Sequence, residues 1–369
     1  MLTTDETGAM GILMWGGLLL LSIIKMDNVY RFQRNWVPFA LALSISALIS
    51  TVFSHYGDFG KDLLKFTAFD LLLITLTKHY YSSKQINICI YIYTMISIIL
   101  SILVFLSFWG GYTHVDSIYE GNIRYSIGIT GIYKNPNYVA SFINVSFFVL
   151  TYMIIYTKTS IKNKVIYALI LVLIFVADIL TGTRAALLTI VMSTAFLIFG
   201  YLKHSGSLMM GLIPLLVVFA GLVYFEDTIT FYLEMVGSAR GGFTEDVRQE
   251  SWNKAIDMIT TSPMLGFGLN SWFGIRSASM LPGLHNVFLE FFLNQGLFGL
   301  VLLLITMFYG ISNIKKKDKV FVYTFCFVTI FPLLFQNGLV DVNFWRVLIM
   351  NRIVIDYSCY SKDGITDIL

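Results

Sequence analysis

Long apolar runs separated by short polar or basic stretches recur along the whole chain, and their lengths predict helices rather than strands. A helix needs roughly 20 apolar residues to cross a hydrocarbon core. Windows of that kind fall at 8–24, 36–53, 62–80, 86–109, 137–157, 165–181, 185–202, 207–225, 287–311, 320–338 and 342–357, the third and last being the most polar. Lipid offers no partner to an open backbone, so continuous spans of this kind must be helical. The pattern therefore predicts an all-α, polytopic membrane protein of about eleven transmembrane helices. Residues 1–369 are expected to form one transmembrane domain, with 226–286 as a long extracytoplasmic loop carrying short helices.

Charge orients this pattern. Lysine and arginine gather in alternate short loops: Lys25, Arg31 and Arg34; Lys78 and Lys84; Lys158, Lys162 and Lys164; Lys203; and Lys315, Lys316, Lys317 and Lys319. The intervening short loops hold only Lys61, Arg124, Lys134 and Arg184. Positive residues stay cytoplasmic, which predicts an N-terminus outside and a C-terminus in the cytoplasm. The Lys315–Lys319 run then sets topology, and no nucleic-acid partner is expected. Asp5 and Glu6, rather than lysines, precede the first window, so it reads as a retained helix and not a signal peptide.

Composition excludes a soluble fold. Apolar residues make up 57% of the chain and charged ones 13%, about half the charged share of a soluble domain. Cys89, Cys326 and Cys359 fall within predicted helices or on the cytoplasmic side, where no disulfide is expected. No Walker loop, dinucleotide glycine fingerprint or metal-ligand spacing occurs, and neither cofactor nor metal is expected.

Two long loops, about 110–136 and 226–286, fall outside, and long loops favour function. The second contains Thr244-Glu245-Asp246-Val247-Arg248 followed by Trp252, Ala255, Ile256 and Ile259. That spacing predicts an amphipathic helix with Thr244 as N-cap, ending before Pro263, with Arg248 and Trp252 on one face. Leu265-Gly266-Phe267-Gly268 then forms a turn that admits close backbone approach, and His285-Asn286 stands at the mouth of the next span. Arg184 occupies an outer turn, Thr181-Gly182-Thr183-Arg184, where positive charge is normally avoided. Asp178 lies in the span before it, and an ionisable residue there suggests a partner or a function. A guanidinium fork suits phosphate oxygens, and an imidazole suits proton transfer. Singly, each residue also has a plain reading as a snorkelling arginine, a solvated charge or a helix cap.

Taken in order, these pieces resemble the O-antigen polymerase and O-antigen ligase family of bacterial membrane glycosyltransferases. The resemblance covers roughly 120–350. It rests on Arg124 with Gly131-Ile132-Tyr133-Lys134-Asn135-Pro136-Asn137, Thr181-Gly182-Thr183-Arg184-Ala185-Ala186-Leu187, and Arg248-x-x-x-Trp252-x-x-Ala255. Ser262-Pro263-Met264-Leu265-Gly266-Phe267-Gly268 and His285-Asn286-Val287-Phe288-Leu289-Glu290, running into Gly296-Leu297-Phe298-Gly299, complete it.

The resemblance implies a metal-independent, inverting transfer of a glycan from a polyprenyl diphosphate to a sugar hydroxyl. It casts Arg184 and Arg248 as holding the diphosphate and His285 as the base. Arg124, Lys134, Asn135, Asn137, Arg240, Trp252 and Asn286 are the expected substrate contacts. Expected partners are the lipid-linked oligosaccharide, membrane lipids, a chain-length regulator and a flippase. The Gly131–Asn137 stretch looks more like polymerases, which make O-antigen, capsule or exopolysaccharide from repeat units. Gly338-Leu339-Val340-Asp341 with Phe344-Trp345-Arg346 also resembles ligases, which move a finished glycan to a terminal acceptor. A flippase for the lipid-linked unit is the rival outside the enzymes, although its charges should line a path rather than gather at one end.

Overall fold

The computed structural model describes residues 35–53, 61–78, 81–110, 125, 135–205, 247–272, 274–275, 283–336, 341–361 and 365. The predicted spans 8–24 and 207–225 lie outside these residues. The described regular structure is helical: α1 (Val37–Val52), α2 (Lys61–Lys78), α3 (Ser83–Trp109), α4 (Pro136–Tyr156), α5 (Ile161–Thr181), α6 (Arg184–Ser205), α7 (Val247–Thr261), α8 (Val287–Phe308), α9 (Lys319–Ile330) and α10 (Val342–Tyr360), with short 3-10 turns around α9.

Six of the described segments are long and apolar enough to cross a membrane: α3, α4, α5, α6, α8 with its following turn, and α9 with its flanking 3-10 turns. The chain is thus a multi-pass membrane protein. Three further predicted spans are helical but depart from the simple apolar span. The first, α1, has 16 residues, short of the roughly 20 that a span needs. The second, α2, carries Lys61, Asp62, Lys65, Asp70 and Lys78. The third, α10, carries Arg346, Arg352 and Asp356.

The chain divides into two compact units. One comprises residues 1–80, 247–313 and 333–359 and so contains α1, α2, α7, α8 and nearly all of α10. Here α1 lays a face of small residues, including Ala40, Ser46, Ala47 and Ser50, against α8. Lipid tails are as apolar as leucine, so such helices associate by close packing of small residues. Gly299 of α8 meets that face, where an added Cβ would stand 3.2 Å from the Ser46 hydroxyl.

The polarity of α10 is turned inward. Arg352 and Asp356, one turn apart, form a buried ion pair. The Arg352 guanidinium also donates to the carbonyls of Tyr309 (2.7 Å) and Thr306 (3.4 Å), closing the last turn of α8. Trp36 donates its indole N–H to Asp356 at 3.3 Å and lies 4.8 Å beneath the guanidinium. Charges within a bundle persist when paired in this way and facing its interior.

The other unit comprises 81–246, 314–332 and 360–369 and is centred on α4. Nearly every residue of α4 is buried, because α3, α5, α6 and α9 all pack on it. Some of its polar groups are tied to α3 and α6. Ser146 donates to Ser97 Oγ at 2.7 Å and Asn144 Nδ2 donates to the Ala186 carbonyl at 3.1 Å. Tyr93 donates to the Phe142 carbonyl at 3.1 Å. Phe148 and Tyr152 add ring contacts with Phe321, at centroid distances of 5.1 and 4.8 Å. By contrast α3 leaves Ile88, Ile92, Ile99 and Leu106 exposed, as a lipid-facing helix does. None of the three cysteines is in a disulfide.

Candidate active site

In the α4-centred unit the predicted residues collect where α5 turns into α6. Gly182 ends α5 in the left-handed conformation (φ 61°) that a Cβ resists, and its N–H returns to the Ile179 carbonyl at 2.9 Å. Thr183 then receives Ala186 and Leu187 N–H at its carbonyl, at 3.0 and 3.2 Å, and donates its hydroxyl to Asn137 Oδ1 at 3.2 Å. Asn135 caps α4 by accepting the Asn137 N–H at 2.9 Å, with Pro136 following as first helical residue. Asn135 and Asn137, expected as substrate contacts, therefore also serve as a cap and as a latch onto the α5–α6 turn.

Arg184 opens α6 and is exposed, while Thr181, Thr183 and Ala186 around it are buried. The α5–α6 turn thus projects one guanidinium from an otherwise packed corner. Asp178 does not share that exit. It is wholly buried, and neither carboxylate oxygen has a hydrogen-bond partner.

In the other unit the predicted amphipathic helix is present as α7. Ser251, Ala255 and Ile259, spaced by four, face inward. Ala255 and Ile259 join a cluster of Trp272, Ile275, Leu284 and Leu293, bordered by Trp252, Phe267 and Leu289. Arg248 is the second residue of α7, one turn before Trp252. Thr244, its expected cap, lies outside the described residues, as do Arg124, Lys134 and Arg240.

The segment after α7 docks into a break in α8. Gly296 has φ 66° and ψ −171°, so the bonds from Leu297 and Phe298 back to the carbonyls of Leu293 and Asn294 cannot form within the helix. The loop supplies substitutes. Phe267 and Gly268 donate to the carbonyls of Leu293 (2.9 Å) and Asn294 (2.8 Å), while Leu297 and Phe298 donate to those of Pro263 (2.8 Å) and Met264 (3.4 Å). Non-helical backbone in a membrane span survives only when protein satisfies it in this manner. Ser271 adds a 2.7 Å hydrogen bond to Asn294 Oδ1, and Leu269 N–H reaches Thr51 of α1 at 3.2 Å.

The other end of α7 is tied to the approach to α8. Trp252 donates its indole N–H to the Leu284 carbonyl at 2.6 Å. His285 follows, partly exposed, in the left-handed region at φ 47°, a strain of about 1–3 kcal/mol for a residue with a Cβ. Asn286 then caps α8, its Oδ1 accepting the N–H groups of Phe288 and Leu289 at 3.1 Å each. Asp341 accepts the Asn343 N–H at 2.7 Å at the start of α10.

The structure thus brings the α7 segment bearing Arg248 and Trp252 to the His285–Asn286 turn, and separately assembles Asn135, Asn137 and Arg184. Among the described residues no group of His, Cys, Asp and Glu side chains is arranged to hold a metal ion. Sequence reasoning missed the break at Gly296, whose only signal was a glycine followed three residues later by another. A strained imidazole beside a helix N-terminus can exchange a proton with a bound hydroxyl, and guanidinium groups can hold phosphate oxygens.

No curated protein and no solved structure matches the chain. Residues 168–304 match the family model described as O-antigen ligase, a stretch that contains Arg184, Arg248, Trp252, His285 and Gly296. The match supports the resemblance of the chain's motifs to the O-antigen polymerase and ligase family.

Proposed function

We propose that the protein is an extracytoplasmic glycosyltransferase that polymerises oligosaccharide repeat units carried on polyprenyl diphosphate. The observation that supports this reading best is the fixing of His285 at the mouth of α8 by α7, the helix that also bears Arg248. In the transfer, an acceptor hydroxyl oxygen attacks the anomeric carbon of the donor. The bond from that carbon to the diphosphate oxygen breaks from the opposite face, and its electron pair leaves with the diphosphate. His285 takes the hydroxyl proton as the new bond forms. Arg184 and Arg248 stabilise the charge growing on the leaving diphosphate, which is larger in the transition state than in the bound donor. No metal is required in this scheme, because the guanidinium groups supply the positive charge.

The site belongs outside the membrane in this reading, with the N-terminus outside and the C-terminus in the cytoplasm. That orientation is favoured by the 13 lysine and arginine residues gathered in alternate loops. The description of the matched family favours a second reading, in which one finished glycan moves to a terminal acceptor. Purified protein supplied with lipid-linked repeat units alone tests the choice. Polymerase activity yields a ladder of chains growing by one unit, whereas a ligase leaves single units until a different acceptor is added.

A further inference from the structure

We propose that Trp252 is a positioning residue for His285, acting through the hydrogen bond from its indole N–H to the Leu284 carbonyl. The inference rests on the reading of His285 as the base. The Leu284 carbonyl belongs to the peptide group that leads into His285, so its orientation helps set the backbone from which the imidazole projects. Leu284 is completely buried, which denies that carbonyl water as an alternative partner. The 2.6 Å contact lies at the short end for an N–H donor. On the far side, Asn286 fixes the next turn through the N–H groups of Phe288 and Leu289. His285 stands between these two anchored peptides at φ 47°, a conformation that its surroundings must impose.

The same tryptophan is seated by apolar contact with the cluster of Ala255, Ile259, Leu284 and Leu293. It thereby couples the register of α7 to the direction of the imidazole. A role confined to packing would be kept by another ring of similar size. A role in positioning requires the N–H.

Turnover of lipid-linked donor by purified W252F, H285Q and the double variant tests this, with kcat and KM determined separately. Trp252→Phe keeps a ring in the cluster and removes the donor. We expect kcat to fall about tenfold with donor KM unchanged, and the substitution to cost less than about twofold further on the H285Q background, since residues acting as a unit are not additive. Wild-type kcat in W252F overturns the proposal, as does a tenfold loss that persists in full beside H285Q. Near-wild-type turnover in H285Q overturns it by removing the base itself, an outcome distinct from the other two. Should W252F fail to fold, the sulfur isostere of the indole at position 252 keeps the shape without the N–H and is held to the same outcomes.

Discussion

Gly266 and Gly296 meet backbone to backbone: a Cβ on Gly266 would stand 2.6 Å from the Gly296 nitrogen, and one on Gly296 would stand 2.2 Å from the Met264 carbonyl oxygen. Each glycine also has positive φ, 71° and 66°. Thirty residues apart in sequence, they allow the loop after α7 to replace two hydrogen bonds of α8. That contact holds one end of α7, and Trp252 holds the other.

Gly296→Ala should therefore destabilise the protein severely, by about 3 kcal/mol or more, because steric overlap adds to a backbone conformation nearly confined to glycine. Gly266→Ala should behave similarly. Gly274→Ala is the control, since nothing lies within 4 Å of its added methyl. Thermal unfolding in detergent checks the series, and equal midpoints for all three would contradict the insertion.

Asp178→Asn should leave glycan transfer and stability close to wild type, or raise stability slightly. Neither oxygen makes a hydrogen bond that an amide of the same shape would break. Loss of transfer with normal membrane insertion would return Asp178 to the functional residues.

Arg184→Ala and Arg248→Ala should each abolish most transfer while the protein remains inserted. The lysine variants should rescue poorly, because a point charge does not reproduce bidentate binding of phosphate oxygens. Full activity in either lysine variant would remove the fork from the mechanism.

Cysteines introduced at Ser238 and Ser279, in a chain lacking Cys89, Cys326 and Cys359, should react with a membrane-impermeant thiol reagent in cells stripped of outer barriers. Labelling only after lysis would reverse the orientation.

The parts legible in sequence are those with a local signal. Apolar windows predicted α3–α6, α8 and α9, and the spacing of Ala255 and Ile259 predicted α7 with its inward face. What escaped depended on distant partners. Gly296 reads as an ordinary glycine in an apolar run until Gly266 is placed against it. Arg352 and Asp356 make α10 look too polar for a bundle, and only Trp36 and the end of α8 show where that polarity is spent. An ionisable Asp178 within a span suggested a partner or a function, yet a left-handed glycine and the start of a new helix leave it buried while Arg184 is exposed.

The central claim is that His285 accepts the proton of the attacking hydroxyl, and His285→Gln tests it most directly. Glutamine approximates the shape and hydrogen bonding of the imidazole but cannot act as a base at neutral pH. We expect turnover of purified enzyme on lipid-linked donor to fall by about 100-fold to 10,000-fold with carrier binding nearly unchanged. The wild-type rate should also fall at acid pH, since a protonated imidazole cannot accept another proton. Turnover in the glutamine variant close to wild type, with the same acid limb, would contradict the account.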